Sequence, residues 1–353
     1  MIKGEGFALG HVSSVGEEAR ASVPSRARRV RVLGTGVGVP SERLASSDID
    51  ARLGLPPGTV ERRTGVRRRS VETRRSAAAL GAEAARSALA AANLGLRSID
   101  CLIAASGTQD QGMPCNAALV HRELGLGSIP AFDVGASCLG FLAALDVASC
   151  LIDAGRYRRI LIVSADIASC GLDWSRLEAS GIFGDGAAAA VVAGADDSTS
   201  AVLATAFAMH SDGAHLCEIP GGGSRYHPSR ISEPFLPLAR FRMDGPGVFR
   251  MAAERLPAFV DDLLRDAGVT LGELALVIPH QASDHGLRWL RQRFDLPPRR
   301  VVDIFAEHGN QVAASLPSAL HTAIEDGRLR RGDRALLIGT GAGISIGGAV
   351  LCF

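Results

Sequence analysis

The chain has 353 residues, of which 47% are hydrophobic and 21% charged, so it can bury a large core and is not a disordered chain. Its 38 basic and 37 acidic residues give a formal charge of +1, which excludes nucleic-acid binding by overall charge. No apolar run is long enough to span a bilayer. The seven cysteines form no Cys-x-x-Cys pair, so we expect neither a zinc site nor a disulfide framework, and a reducing cytoplasm.

The N-terminal segment, residues 1–29, lacks the apolar stretch of a signal peptide, and we expect a poorly ordered extension. Residues 30–40 predict a strand followed by a turn. Its glycine run could be a dinucleotide-binding loop, but the third glycine and the following helix are missing, which favours the turn. Residues 76–94 are rich in alanine and predict a helix with Ser76 as its N-cap.

An internal repeat organises the rest of the chain. Three pairs of segments correspond. Segments 151–166 and 323–341 share a helix end, a basic turn and an apolar strand; 98–109 and 273–283 share an entry from helix to strand; and 183–194 and 339–353 are both Gly- and Ala-rich strands. The repeat predicts an α/β fold of two related halves, residues 30–200 and 201–353, after the extension. Chance similarity between Ala- and Gly-rich segments is the alternative. Residues 218–240 predict a long loop, and loops of this length are usually functional or mobile.

Cysteine and asparagine occupy matching places in the two halves. Cys138 precedes Gly155 by the same number of residues as Asn310 precedes Gly327. Cys138 follows a strand-like segment and a turn of small residues and opens an apolar helix. The positive end of a helix dipole favours the thiolate, which predicts a nucleophile. The alternative is a buried structural cysteine.

Two further side chains are candidates for the same chemistry. His280 follows an apolar strand, at the sheet edge where α/β sites gather, and can donate a hydrogen bond to a thioester carbonyl. The amide of Asn310 can stabilise an oxyanion, and the glycine-rich run around Ala342 can supply a backbone N–H. The alternatives are a structural histidine, a helix N-cap and a tight turn.

Cysteine, histidine and asparagine in this order, on a duplicated α/β chain, resemble the thiolase superfamily and, more closely, β-ketoacyl-acyl-carrier-protein synthase III. The resemblance covers about residues 30–353. The matching segments are ERRTGVRRR (61–69), DVGASCLGF (133–141), FGDGAAAAVV (183–192), MDGPGVF (243–249), VIPHQAS (277–283), HGNQVAASLP (308–317) and GTGAGISIGG (339–348). It implies a layered α-β-α-β-α fold with two five-stranded mixed sheets.

The resemblance also implies an acyltransferase reaction and its residues. Cys138 would carry an acyl group from acyl-CoA, and His280 and Asn310 would bind the carbonyl of a malonyl thioester, on acyl carrier protein or CoA, during decarboxylative condensation. The backbone N–H groups of Cys138 and Ala342 would form the oxyanion hole. A homodimer without metal or redox cofactor is implied, acting on neither nucleic acid nor membrane.

The implied contacts to coenzyme A or the carrier are arginines and one phenylalanine. Arg63 matches the arginine that stacks near the adenine, and Arg176 would be its partner, although the spacing differs by one residue. Phe249 lies in the segment that lines the pantetheine tunnel. Arg288 and Arg291 share a helix face, which predicts a landing site for an acidic carrier protein. A solvated helix face is the alternative.

Several residues depart from the family pattern. Ser283 replaces an asparagine, His285 an arginine, and Leu139 a small polar residue; Thr340 and Ala342 interrupt the glycine run, and residues 59 and 60 lack a tryptophan. These departures favour a specialised paralogue. They leave open an acyltransferase that passes the acyl group to oxygen or nitrogen. A Cys-His-Asn protease and a non-catalytic thioester-binding subunit are weaker alternatives.

Overall fold

The computed structural model describes residues 27–197, 199–232 and 234–353. Its strands are β1 (Val30–Gly38), β2 (Glu42–Ala45), β3 (Arg68–Val71), β4 (Cys101–Ala104), β5 (Ala131–Asp133), β6 (Arg159–Asp166), β7 (Gly186–Gly194), β8 (Ala201–Met209), β9 (Cys217–Glu218), β10 (Arg242–Met243), β11 (Leu276–Pro279), β12 (Arg334–Gly341) and β13 (Ser345–Cys352). Its α-helices are α1 (Ser46–Leu53), α2 (Thr59–Thr64), α3 (Ala77–Ala91), α4 (Asn116–Leu124), α5 (Gly140–Asp153), α6 (Leu177–Ser180), α7 (Leu236–Ala239), α8 (Gly245–Asp266), α9 (Asp284–Arg293), α10 (Phe305–His308) and α11 (Ser315–Glu325).

Two mixed sheets form the frame. The first has the order β1-β7-β6-β4-β5, and the second has the order β11-β12-β13-β8. The prediction of five strands in the second sheet is therefore wrong, since this sheet has four strands among the described residues. The fifth position is reduced to a single parallel bridge between Val301 and Val277, because the residues immediately before it, Pro298–Arg300, form a 3-10 turn.

Helices cover both faces of each sheet, which confirms the layered α-β-α-β-α fold. Helices α3 and α4 pack on the outer face of the first sheet, and α8 and α9 on the outer face of the second. Helices α5 and α11 lie between the sheets in one core that draws on both halves. Being buried on two sides, α5 is apolar almost all round.

The glycines of β1 have a packing function. Gly34, Gly36 and Gly38 lie inside the strand, and a methyl group on Gly36 would come within 2.3 Å of the backbone nitrogen of Ala88 in α3. They allow the helix to approach the sheet closely, so the predicted strand-end turn and the dinucleotide loop are both wrong. The predicted helix is confirmed, since the hydroxyl of Ser76 accepts a hydrogen bond from Ala79 N at the start of α3.

Of the predicted N-terminal extension, residues 1–29, the first 26 residues lie outside the described residues. Arg28 exchanges two backbone hydrogen bonds with Val202, and its guanidinium pairs with Asp146 at 2.7 Å. The predicted boundary between the halves, at residues 200 and 201, falls between β7 and β8. Within the predicted loop 218–240 the structure contains the short helix α7. No described helix is long and apolar enough to cross a membrane.

Candidate active site

Cys138 lies in a short 3-10 turn, Ser137–Leu139, between β5 and α5. The turn begins with Ser137 in the left-handed backbone conformation, at φ 48°, which residues other than glycine rarely adopt. Cys138 is half-buried in an apolar cluster. The other members of this cluster are Ala168, Leu172, Trp174, Ile182, Phe183, Phe241 and Val312.

The side chain of Cys138 is a protonated thiol. Burial raises its pKa to about 12, and the nearby Cys217 and Asp166 add to the effect. Hydrogen bonds from the backbone N–H groups of Ala342 and of Cys138 itself lower this pKa, without reversing the effect of burial. The expected thiolate is therefore wrong for the free enzyme. These are the same two N–H groups that the sequence predicts as an oxyanion hole.

His280 follows β11 and is 5% exposed. Burial lowers its pKa to about 4, so the imidazole is neutral at physiological pH. Its Nδ1 atom is buried and has no hydrogen-bond partner among the described residues. Gln281 holds the following turn, because its amide donates to Pro279 O and accepts from Ile304 N. A neutral imidazole with a free ring nitrogen can bind a carbonyl oxygen.

Asn310 has its side chain directed to the His280 loop. Its Nδ2 donates to the carbonyl of Ala282 at 3.4 Å, a long hydrogen bond that leaves this NH2 group available to a substrate. Its Oδ1 accepts from Val312 N at 2.9 Å, which fixes the amide orientation. The predicted asparagine and histidine are therefore neighbours.

The end of β12 joins these two side chains to the nucleophile. A methyl group on Gly339 would lie 2.9 Å from Cβ of His280 and 3.0 Å from Cδ2 of Leu139. Only glycine allows the strand to pass between the histidine and the cysteine turn at this distance. Cys138, His280 and Asn310, which the sequence separates widely, are thus brought into one site.

The segment FGDG braces the asparagine loop. Asn310 N donates to Ile182 O at 2.8 Å, and Gly184 N donates to Asn310 O at 3.1 Å. A methyl group on Gly186 would lie 2.1 Å from Nε2 of Gln311. The two glycines are required because the loop that carries Asn310 lies directly against their backbone.

Two buried charged residues near the site were not singled out from the sequence. Asp166 ends β6, is wholly buried, and accepts hydrogen bonds from both halves of the chain. Arg69 is also wholly buried and donates to the carbonyls of Gly181 and Phe183. The signal for Asp166 was its place at the end of an apolar strand, the same signal that selected His280.

The predicted coenzyme residues Arg63 and Arg176 are exposed on elements that contact each other. Arg63 lies at the end of α2 and Arg176 precedes α6. Val60 of α2 and Leu177 of α6 share an apolar cluster that also contacts Trp174. An indole ring thus lies beside α2, the helix in which the family tryptophan is missing.

The two arginines predicted to contact the carrier protein already have carboxylate partners. Arg288 pairs with Asp284 at 2.8 Å and Arg291 with Asp303 at 3.4 Å, so both charges are partly neutralised. Phe249 lies on α8 with its ring 4.4 Å from that of His285. The described residues contain no group of three or more His, Cys, Asp or Glu side chains able to hold a metal ion.

Comparison with known proteins places this site in context. The family model 3-oxoacyl-[acyl-carrier-protein] synthase III matches residues 132–213, and the model of its C-terminal part matches residues 264–353. The chain is 35% identical over 327 residues to β-ketoacyl-[acyl-carrier-protein] synthase III of Rhizorhabdus wittichii, covering 92% of this chain and 99% of that protein.

Solved structures give the same result. The 3-oxoacyl-[acyl-carrier-protein] synthase III from Aquifex aeolicus VF5 matches with a TM-score of 0.83 and 30% identity, covering 92% of this chain and 100% of the other. The priming β-ketosynthase from the R1128 polyketide biosynthetic pathway matches with a TM-score of 0.84 and 29% identity, covering 94% and 98%.

Proposed function

The chain belongs to the β-ketoacyl-[acyl-carrier-protein] synthase III family, and from this premise we propose that it is an acyltransferase that condenses an acyl group with a malonyl-type thioester. One observation carries the proposal. The Cys138 sulfur, beside the backbone N–H groups of Ala342 and of Cys138 itself, lies in one site with a neutral imidazole and an available amide NH2 group. These groups can stabilise two oxyanions by hydrogen bonding, and none of them is a strong base.

The first half-reaction loads the enzyme. Sγ of Cys138 attacks the thioester carbonyl of acyl-CoA, the new C–S bond forms, and the bond to coenzyme A breaks. The thiol proton leaves with the departing coenzyme thiolate. The N–H groups of Cys138 and Ala342 stabilise the tetrahedral oxyanion, so the reaction proceeds although the resting sulfur is protonated.

The second half-reaction makes the carbon–carbon bond. A malonyl thioester, on acyl carrier protein or coenzyme A, loses carbon dioxide, and the electron pair of the broken bond forms an enolate. His280 and Asn310 donate hydrogen bonds to its oxygen. The carbanion attacks the acyl-enzyme, and the Cys138 thiolate leaves and takes up a proton. Decarboxylation supplies the nucleophile, so the reaction needs no metal or redox cofactor.

Substrate contacts extend from the site to α2. Arg63 and Arg176 would face the coenzyme phosphates or adenine, with Trp174 nearby as the aromatic surface. Phe249 would border the pantetheine arm. Since Arg288 and Arg291 already have carboxylate partners, we assign them a smaller share of carrier binding.

Assembly and location complete the proposal. β5 is an edge strand of the first sheet and precedes the Cys138 turn, which supports a homodimer formed along this edge. All seven cysteines are free, which supports a reducing cytoplasm. Light scattering of the purified chain tests the dimer, and fractionation of the producing cells tests the location.

The activity is tested in two steps. The protein is incubated with an acyl-CoA panel and its intact mass is read, with Cys138→Ala as control; malonyl-carrier protein is then added. We expect an acyl adduct in the parent alone, followed by carbon dioxide and a β-ketoacyl product. An adduct without carbon dioxide would instead indicate transfer to an oxygen or nitrogen nucleophile, and absence of any adduct would support a non-catalytic subunit.

A further inference from the structure

Asp166 is a buried carboxylate to which we have so far assigned no role. It ends β6 with no exposed surface. One oxygen, Oδ1, accepts from Gly107 N at 2.8 Å, from Thr108 N at 2.7 Å and from Thr108 Oγ1 at 3.0 Å. The other, Oδ2, accepts from Ala314 N at 3.1 Å. Burial raises the pKa of Asp166 to about 7, and these four donors oppose that effect and favour the charged form.

The four donors come from both halves of the chain. Gly107 and Thr108 follow β4 in the first half, whereas Ala314 lies in the 3-10 turn that leads into α11 in the second. The N–H groups in the first turn of a helix have no partner within the helix. The Ala314 N–H is shared between Gln311 O, at 3.1 Å within its own turn, and the carboxylate of Asp166 in the opposite half, so Asp166 ties this turn to the first half.

This link passes directly behind the nucleophile. A methyl group on Gly107 would lie 2.5 Å from Cγ1 of Val312, 3.4 Å from the backbone carbon of Ser137 and 3.5 Å from Oδ1 of Asp166. Val312 in turn donates its N–H to Oδ1 of Asn310. The carboxylate therefore holds together the turn that carries Cys138 and the loop that carries Asn310.

Resting on the proposed function, we propose that Asp166 is a positioning residue of the condensing site: its carboxylate sets the separation between Cys138 and Asn310. A carboxylate is required because all four partners are donors. Asparagine has only one acceptor oxygen in its side chain, so its NH2 group would face backbone N–H groups on the other side. The hydrogen bonds to one half of the chain would then be lost.

The test is Asp166→Asn in the full chain, with enzyme concentration defined by the acyl adduct on Cys138. We expect kcat for condensation to fall about a hundredfold, the size of effect that a 1 Å misplacement produces. The KM for acyl-CoA should stay near the parental value. Because the carboxylate also opposes ionisation of Cys138, the pH midpoint for alkylation by iodoacetamide should move to lower pH.

The matched control is Asp50→Asn. Asp50 is also buried, but its carboxylate accepts from Gly58 N at 2.7 Å and Val60 N at 2.9 Å, both in the first half. It should lower the unfolding temperature and leave the alkylation midpoint of Cys138 unchanged. A purely structural role for Asp166 would give the same result as this control, and that outcome overturns the proposal.

If Asp166→Asn does not fold, Thr108→Val removes one donor and leaves the carboxylate in place. A severalfold loss of kcat per acylated site supports the proposal, and a parental kcat overturns it. A parent protein that takes up no acyl group contradicts the proposed function instead. The alkylation midpoints of parent and variant still test Asp166 in that case, because alkylation requires no turnover.

Discussion

Ser137 and Val312 occupy corresponding places in the two halves of the molecule, at φ 48° and 54°, and each opens a 3-10 turn that leads into a central helix. Both turns contact the same point beside Gly107. Val312 follows Asn310 by two residues, so the backbone equivalent of Cys138 is Ala313 and not Asn310. Aligning the two halves by Gly155 and Gly327 therefore matches the ends of helices α5 and α11 but not their beginnings.

The left-handed conformation of Ser137 predicts a stabilising substitution. Ser137 is exposed, so Ser137→Gly loses little packing and relieves a conformation that costs a non-glycine residue about 1–2 kcal/mol. We expect the free energy of unfolding to rise by about 1 kcal/mol, measured by urea denaturation. A less stable glycine variant would show that the Ser137 conformation is not strained.

Asn310→Asp should separate the two half-reactions. Aspartate lacks the NH2 donor and places a negative charge beside the developing enolate, so condensation should slow by about 10²–10³-fold. Loading of Cys138 uses the backbone N–H groups and should proceed at nearly the parental rate. Intact mass follows the acyl adduct, and product formation follows condensation. Equal loss of both steps would contradict the assigned role.

Gly186→Ala tests the brace on the asparagine loop. The new methyl group would come within 2.1 Å of Gln311 Nε2, so we expect a loss of about 1–3 kcal/mol in stability and slower condensation. Gly194→Ala is the matched control at the other end of β7, where the nearest atom is Ile152 Cγ2 at 3.8 Å. Calorimetry and product assays compare the two. Similar effects in both variants would rule out the brace.

His280 predicts a specific acid sensitivity. Its pKa is about 4 when folded against 6.5 ordinarily, so below pH 6.5 the unfolded chain takes up a proton that the folded chain does not. This histidine should therefore cost about 2 kcal/mol of stability between pH 7 and pH 5. Urea midpoints of the parent and of His280→Gln at the two pH values measure it. An equal pH dependence of both proteins would contradict the depressed pKa.

Arg63→Gln should weaken coenzyme binding without altering chemistry. Arg63 is exposed at the end of α2 and has no ion-pair partner among the described residues, so its charge is available to a phosphate. We expect the KM for acyl-CoA to rise severalfold at low salt and kcat to remain. Arg97→Gln, an exposed arginine before β4, is the control. An unchanged KM would remove Arg63 from the coenzyme site.

The sequence by itself determined the family, the layered fold and the three polar side chains of the site. These features are carried by short segments such as SCLGF, PHQAS and HGNQ, in which the residue types and their order are visible without coordinates. Alanine content and capping also located Ser76 and α3, because helix initiation depends on neighbours in the chain.

Only the tertiary structure decided the protonation states and the supports. The thiol at Cys138 and the neutral imidazole at His280 follow from burial, which is created by segments far apart in sequence. The link from Asp166 to Ala314 and the hydrogen bonds of Arg69 likewise join distant elements. A sequence names the donors and acceptors, but their pairing depends on distances that exist only once both halves have packed.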